Sequence, residues 1–192
     1  MYSKHILPKL LKWRMGQKRF VKGRQWCSPQ AKGVVLEIGF GAGANLPYYT
    51  NDVSKLFALE PSKALFDIAT TINRVDFEIQ HLEASAENIP LGDNSIDSIV
   101  CTWTLCSVGN VREVTKELYR VLKPTGKVFF IEHGKASSAP LATLQNLINN
   151  LWKRCAGGCN LNRTYFSYFT ENGFTFQLSE QIGTEYSGIA TK

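Results

Sequence analysis

The feature that most constrains this chain is an apolar run, Val34-Val35-Leu36-Glu37-Ile38, that stops abruptly at Gly39-Phe40-Gly41-Ala42-Gly43. A short apolar run bounded by glycine predicts a strand buried on both faces, and such strands belong to parallel sheets covered by helices. The glycines permit a tight turn from strand to helix. Lacking Cβ atoms, they also let a ligand approach the backbone closely. Taken alone, they are equally compatible with a turn that binds nothing.

The remaining chain repeats the alternation. The spacing predicts a short helix over 42–49 with Pro47 in its first turn, a second strand over 56–59, and a helix over 63–72 capped by Ser62. A third strand is expected over 75–81 and a fourth over 96–102, entered through the turn Gly92-Asp93-Asn94. Residues 111–122 carry apolar side chains at helical spacing and stop at Pro124, and 127–132 follow as a fifth strand. Helices over 141–154 and 163–172 are separated by Gly157-Gly158. Residues 173–176 and 186–190 then read as two strands joined without a helix, which requires an antiparallel pair. The expected fold is α/β, a doubly wound, mostly parallel sheet with one antiparallel strand near its C-terminal edge.

At 192 residues, 44% hydrophobic and 20% charged, the chain fits one folded domain and lacks the composition of a disordered one. Its net charge of +6 is local: residues 1–32 carry nine Lys or Arg and no acid, whereas the remainder carries 13 basic and 16 acidic residues. Ile6, Leu7, Leu10, Leu11 and Trp13 recur at helical spacing among these charges. The chain therefore divides into a basic helical segment, 1–32, and a domain, 33–192. Three roles are open to the segment: a cover over the active site, a peripheral anchor at a membrane surface, or a contact to nucleic acid. No dedicated nucleic-acid module accompanies the third. No apolar run reaches the 18 residues or so that a spanning helix needs.

The five cysteines are odd in number and two stand in an apolar run, so reduced thiols and a cytoplasmic setting are expected. Cys155 and Cys159 would make half of a metal site, but the sequence offers no second ligand pair at useful spacing, and no metal is expected.

A second signal accompanies the glycines. Glu60 ends the second strand, 17 residues beyond Gly43, where an acid can accept both hydroxyl hydrogens of a ribose. Nicotinamide-binding folds share both features, and Gly39, Gly41 and Ala44 satisfy their glycine fingerprint. An oxidoreductase of that kind would need a second half-sheet or substrate domain for which this chain has little room. A module that binds a cofactor without turnover is a further alternative.

From Gly33 to Phe176 the sequence resembles the class I S-adenosylmethionine-dependent methyltransferases. Glu37, Gly39, Gly41 and Gly43 match their first motif, acid-x-Gly-x-Gly-x-Gly, and Glu60 their acid after the second strand. Ala84-Ser85-Ala86-Glu87-Asn88-Ile89-Pro90 resembles their adenine-side loop, and Arg120 to Gly126 the turn before their fifth strand. The resemblance implies a Rossmann-like, seven-stranded sheet and S-adenosylmethionine as cofactor. Its contacts would come from Glu37, Gly39, Gly41, Gly43, Asn45, Glu60, Pro61, Ser62, Ser85, Ala86, Glu87, Cys101 and Thr102. Ser85 stands where many members carry Asp, Thr125 replaces a common Gly, and Cys106 stands where many have His.

The methyl acceptor should lie beyond the carboxyl ends of the fourth and fifth strands, which supply Thr102, Trp103, Leu105, Cys106, Glu132 and His133. Thr104-Leu105-Cys106-Ser107-Val108, Glu132-His133 and Gly158-Cys159-Asn160-Leu161 are similar to a branch that includes membrane-associated alkyl-thiol methyltransferases. This branch implies a small, rather apolar nucleophile such as a thiol. His133, at a strand end, is the candidate catalytic residue that would help such a thiol ionise, the alternative being a structural hydrogen bond. Quinone and phospholipid acceptors stay open. Tyr165, Phe166, Tyr168 and Phe169 are expected either to roof the acceptor or to pack a helix.

Overall fold

A computed structural model describes residues 18–72 and 75–192. Five parallel strands, β1 (Gly33–Ile38), β2 (Val53–Leu59), β3 (Glu78–Leu82), β4 (Ile96–Thr102) and β5 (Leu122–His133), continue into the hairpin β6 (Thr175–Ile182) and β7 (Glu185–Thr191). The sheet order is β3-β2-β1-β4-β5-β7-β6. Only β7 runs against the rest, paired antiparallel with both β5 and β6, as expected.

Helices α1 (Lys18–Cys27), α2 (Lys63–Ile72), α3 (Val111–Val121), α4 (Ala139–Cys155) and α5 (Phe166–Glu171) cover the sheet. Because side chains alternate along a strand, β1 and β5 feed two cores at once. Leu36, Ile38, Val128 and Phe130 join Val114, Leu118 and Phe169 on one face, while Val35 and Phe129 join Cys27, Leu56 and Ala69 on the other. The aromatic residues of α5 mainly pack, Phe169 against Phe130 and Phe174. Asn110 caps α3 by accepting from the backbone N–H groups of Arg112 and Glu113.

Several boundaries differ from expectation. Residues 42–49 form no helix beyond a single 3-10 turn, Leu46–Tyr48. Gly41 and Gly43 sit at φ +56° and +73°, outside the helical region, and Pro47 cannot donate to a helical ladder. β5 begins at Leu122, directly after α3, because the register jumps from Ile96↔Leu122 to Ser98↔Lys127. The intervening bulge accommodates Pro124, which has no ladder donor. β3 begins at Glu78 rather than 75, and the C-terminal strands are longer than expected, turning tightly at 183–184. The apolar stripe from Ile6 to Trp13 lies outside the described residues, whereas the end of the basic segment is the helix α1.

Candidate active site

The chain leaves β1 toward β2 on one side and returns to β4 on the other, so the ends of β1 and β4 flank a crevice where α/β sheets hold ligands. The loop out of β1 enters this crevice with Gly39, Gly41 and Gly43 all at positive φ. The three have different neighbours. A Cβ on Gly39 would lie 2.2 Å from Thr104 Oγ1, and one on Gly43 2.8 Å from the Ala69 side chain. At Gly41 it would meet nothing nearer than the Gly39 carbonyl at 3.9 Å, so this glycine faces open space.

Glu60, buried at the end of β2, fixes the loop: its Oε2 accepts from Gly41 N and its Oε1 from Ser62 N, each at 2.9 Å. Each oxygen keeps a lone pair for an incoming hydroxyl. His81 stacks on Phe66 and reaches the Glu60 carbonyl at 2.9 Å, which steadies the strand end. Pro61 is exposed beside them. Farther along the crevice, Ala86 is buried, and Ser85 Oγ donates to Glu87 Oε2. The other Glu87 oxygen accepts from Gly109 N and Asn110 N at 2.8 and 3.1 Å. Glu87 therefore ties two loops together. Burial pushes its carboxyl up, but Ser85 and the backbone N–H groups outweigh this and leave it below the usual range.

At the bottom of the crevice Glu37 is 2% exposed and accepts from Asn45 Nδ2 at 2.9 Å and from the Tyr49 hydroxyl at 2.6 Å. Burial raises its pKa to about 7, against the pull of Tyr49, Asn45 and nearby Arg24. Asn45 gives its second amide hydrogen to Thr102 Oγ1 at 3.0 Å. These two acceptors fix the amide orientation and leave Asn45 Oδ1 buried without a donor among the described residues.

The ends of β4 and β5 form a separate cluster. Glu132, fully buried, accepts from Thr104 N and Leu105 N at 2.6 Å and from Cys106 N at 3.3 Å, and so shapes the loop after β4. Burial raises its pKa to about 7. Cys101 is fully buried and points into this core, its Sγ 3.3 Å from Glu132, so its side chain does not reach the crevice. Trp103 adopts φ +52°, a conformation costing a bulky residue on the order of 1–3 kcal/mol. It is held there by Trp103 N donating to the Ile131 carbonyl, by Phe20, and by the Arg24 guanidinium over its ring.

His133 Nε2 lies 3.0 Å from Cys159 Sγ, and Tyr165 donates to the His133 carbonyl. Cys106, His133 and Cys159 bring their ligating atoms within 4.8 Å of one another. The Cys106 thiol and then His133 push Cys159 toward its thiolate, while Cys106 itself is pushed up. Sequence spacing pairs Cys159 only with Cys155 and does not show this grouping. Cys155 is exposed, and the neighbours of Cys159 come from the loop after β4 and from the end of β5. Arg24, Tyr49 and Asn149 were likewise invisible as site residues. They act through tertiary contacts, and no local pattern marks them.

A family model described as a methyltransferase domain matches residues 36–130. Thiol S-methyltransferase TMT1B of Rattus norvegicus is 36% identical over 134 residues, 67% of this chain and 54% of the relative. Thiol S-methyltransferase TMT1A of Homo sapiens is 32% identical over 146 residues, 73% of this chain and 59% of the relative. The chain thus spans a little over half the length of these curated relatives. Among solved structures, an S-adenosylmethionine-dependent methyltransferase from Mesorhizobium loti superposes with a TM-score of 0.71 at 15% identity, covering 92% of this chain and 99% of that one. YcgJ of Bacillus subtilis superposes at 0.67 with 21% identity, covering 92% and 71%.

The chain belongs to the class I S-adenosylmethionine-dependent methyltransferases. Its cofactor is S-adenosylmethionine, and two observations in this methyltransferase fit that molecule. Gly41 leaves room at the backbone, and the donorless Asn45 Oδ1 beside the Glu37 carboxyl suits the ammonium of the methionine part.

Proposed function

We propose that this methyltransferase transfers its methyl group to a small, rather apolar thiol. The observation that carries this reading is the pairing of His133 Nε2 with Cys159 Sγ at 3.0 Å at the acceptor end of the sheet. An imidazole at that place can take the proton of an acceptor thiol and leave the thiolate, the reactive form. The printed names of the two relatives above, both thiol S-methyltransferases, support the same acceptor class.

In this reading Asn45 and Glu37 hold the ammonium of the cofactor, Glu60 the ribose, and Ser85 with Ala86 the adenine. When bound, S-adenosylmethionine supplies an electrophilic methyl: the acceptor sulfur takes it while the bond pair stays on the cofactor sulfur, leaving S-adenosylhomocysteine. The protein aligns the two partners and excludes water. Trp103 and α1 close one side of the crevice, and His133 lowers the cost of forming the acceptor thiolate. α1 thereby acts as a cover. Peripheral contact with a membrane is also supported, since α4 turns Leu144, Leu147 and Leu151 outward at 50, 80 and 69% exposure.

Incubation with methyl-labelled S-adenosylmethionine and separate thiol, quinol, amine and phospholipid acceptors tests the proposal. Labelled thioether is the expected product; label in another class, with none in the thiols, refutes the thiol acceptor.

A further inference from the structure

Three side chains outside the cofactor crevice converge at its acceptor end: Cys106 from the loop after β4, His133 from the end of β5, and Cys159 from the loop after α4. Among the described residues they are the only such grouping of Cys, His, Asp and Glu, and no fourth side chain of those types joins them. Two sulfurs and one imidazole nitrogen are the donor set of a borderline-soft, tetrahedral cation. Ideal zinc distances place such ligand atoms about 3.5–3.8 Å apart; the three atoms lie within 4.8 Å of one another and His133 Nε2 is 3.0 Å from Cys159 Sγ, so each pair need shift by no more than about 1.3 Å, the His133–Cys159 pair by widening.

The three segments are also built to stay together. α4 buries Gln145 and Asn149, not its leucines. Asn149 Oδ1 accepts from Leu161 N at 2.7 Å, and its Nδ2 donates to Asn160 Oδ1 at 3.3 Å. Asn160 in turn donates through its backbone N and its Nδ2 to the Cys106 carbonyl at 2.8 and 3.0 Å. Gln145 accepts from Ala136 N and donates to the Gly134 and Leu161 carbonyls, joining the loop after His133 to the loop after Cys159. Trp152 Nε1 is directed at Cys159 Sγ at 3.4 Å, as outer partners of metal-bound groups commonly are. Buried amides placed this way hold three ligands from distant parts of the chain in register.

We propose that Cys106, His133 and Cys159 bind one zinc ion whose fourth position is open to the acceptor thiol. Three protein ligands with one open position is the arrangement of catalytic zinc, and a thiol on zinc is deprotonated outright. The second half of the proposal rests on the thiol reading above. The acceptor's proton passes to solvent as its sulfur binds, the bound sulfur is the nucleophile, and the neutral thioether is a poorer ligand that departs. His133 then promotes ionisation as a ligand of the ion.

The test uses the full chain, purified with a reductant and without chelator, then dialysed against zinc or cobalt. One metal per chain is expected in the parent and in Cys155→Ser. Cys106→Ser and Cys159→Ser should lose it while keeping their thermal stabilisation by S-adenosylhomocysteine, which reports an intact fold. The cobalt form should show sulfur-to-metal charge-transfer absorption, a reading that needs no variant, and an alkyl thiol should change it without any methyl donor. Substoichiometric metal in the parent, metal retained by both serine variants, or a Cys106–Cys159 disulfide under reducing conditions overturns the site. A cobalt spectrum indifferent to thiols, or full thiol methylation by the metal-free protein, overturns the open position while the thiol reading stands. Thioether absent from both forms would instead refute the thiol reading.

Discussion

Asn45 donates both amide hydrogens to the protein and leaves a buried carbonyl without a donor among the described residues, and Gly41 faces open space. Gly41→Val should therefore abolish S-adenosylhomocysteine binding in calorimetry, with a folding cost limited to about the 1–3 kcal/mol of a left-handed branched residue. Wild-type affinity in this variant would remove the loop from the site. Glu60→Ala should weaken binding about 10- to 100-fold, since each bond to a charged acceptor contributes about 1.5–3 kcal/mol, and should loosen the Gly41–Ser62 tie as well. Glu37 sets a pH dependence. Its folded pKa of about 7 lies above the roughly 4.3 of an unfolded Glu. The acid is protonated in both states below about pH 4, and between there and about pH 7 only the unfolded chain releases the proton freely. Stability from this group is thus full at low pH and lost as pH rises through 7, by up to about 4 kcal/mol. Glu37→Gln should flatten that fall in denaturant titrations at pH 5 and pH 8; identical slopes would contradict the buried acid. At this scale the glycines and Glu60 were legible because turn geometry and ligand approach restrict residue type locally. The Asn45–Glu37–Tyr49 arrangement was only half legible, for Tyr49 reaches Glu37 through a turn that the sequence pattern mistakes for a helix.

Among elements, strands were the easier reading. β4 and α2 have the expected bounds because glycine, proline and a capping serine punctuate them, whereas the start of β5 depends on a bulge that pairing with β4 decides. The orientation of α4 was not legible. Leu141, Leu144, Ile148 and Leu151 share one face and by period alone belong inside, yet the buried positions are Ala142, Gln145 and Asn149. The loops after His133 and Cys159 need hydrogen-bonding side chains, and that tertiary demand overrides the apolar pattern. For α1, Phe20 packs edge-on to Trp103 with ring centroids 4.8 Å apart, and a Cβ at Gly23 would lie 2.5 Å from Ile131. Deleting residues 1–24 should uncover Trp103 and Ile131, lower the melting temperature and impair turnover on a soluble thiol. Loss of the buried Phe20 alone costs about 1.5–3 kcal/mol. Unchanged melting and turnover, with only sedimentation on anionic vesicles lost, would make the segment an anchor and not a cover.

For the whole molecule, the sheet order places the candidate crevice at the reversal between β1 and β4 and the Cys106–His133–Cys159 cluster beside it, near the ends of β4 and β5. The crevice was foreseeable because its residues lie on consecutive βα units in sequence order. The cluster was not, since Cys106, His133 and Cys159 meet only after α4 folds its loop back over the sheet. In the proposed reading the crevice holds S-adenosylmethionine through the Gly39–Gly43 loop and Glu60. The most direct measurement is a thermal unfolding series of parent and Gly41→Val with S-adenosylhomocysteine or NAD at about a hundredfold excess over the dissociation constant. Binding at that level adds about 2.7 kcal/mol, a rise of roughly 5–11 °C for a domain of this size. That rise is expected for the parent with S-adenosylhomocysteine alone and none for the variant; a rise with NAD instead, or an equal rise in Gly41→Val, would refute this site.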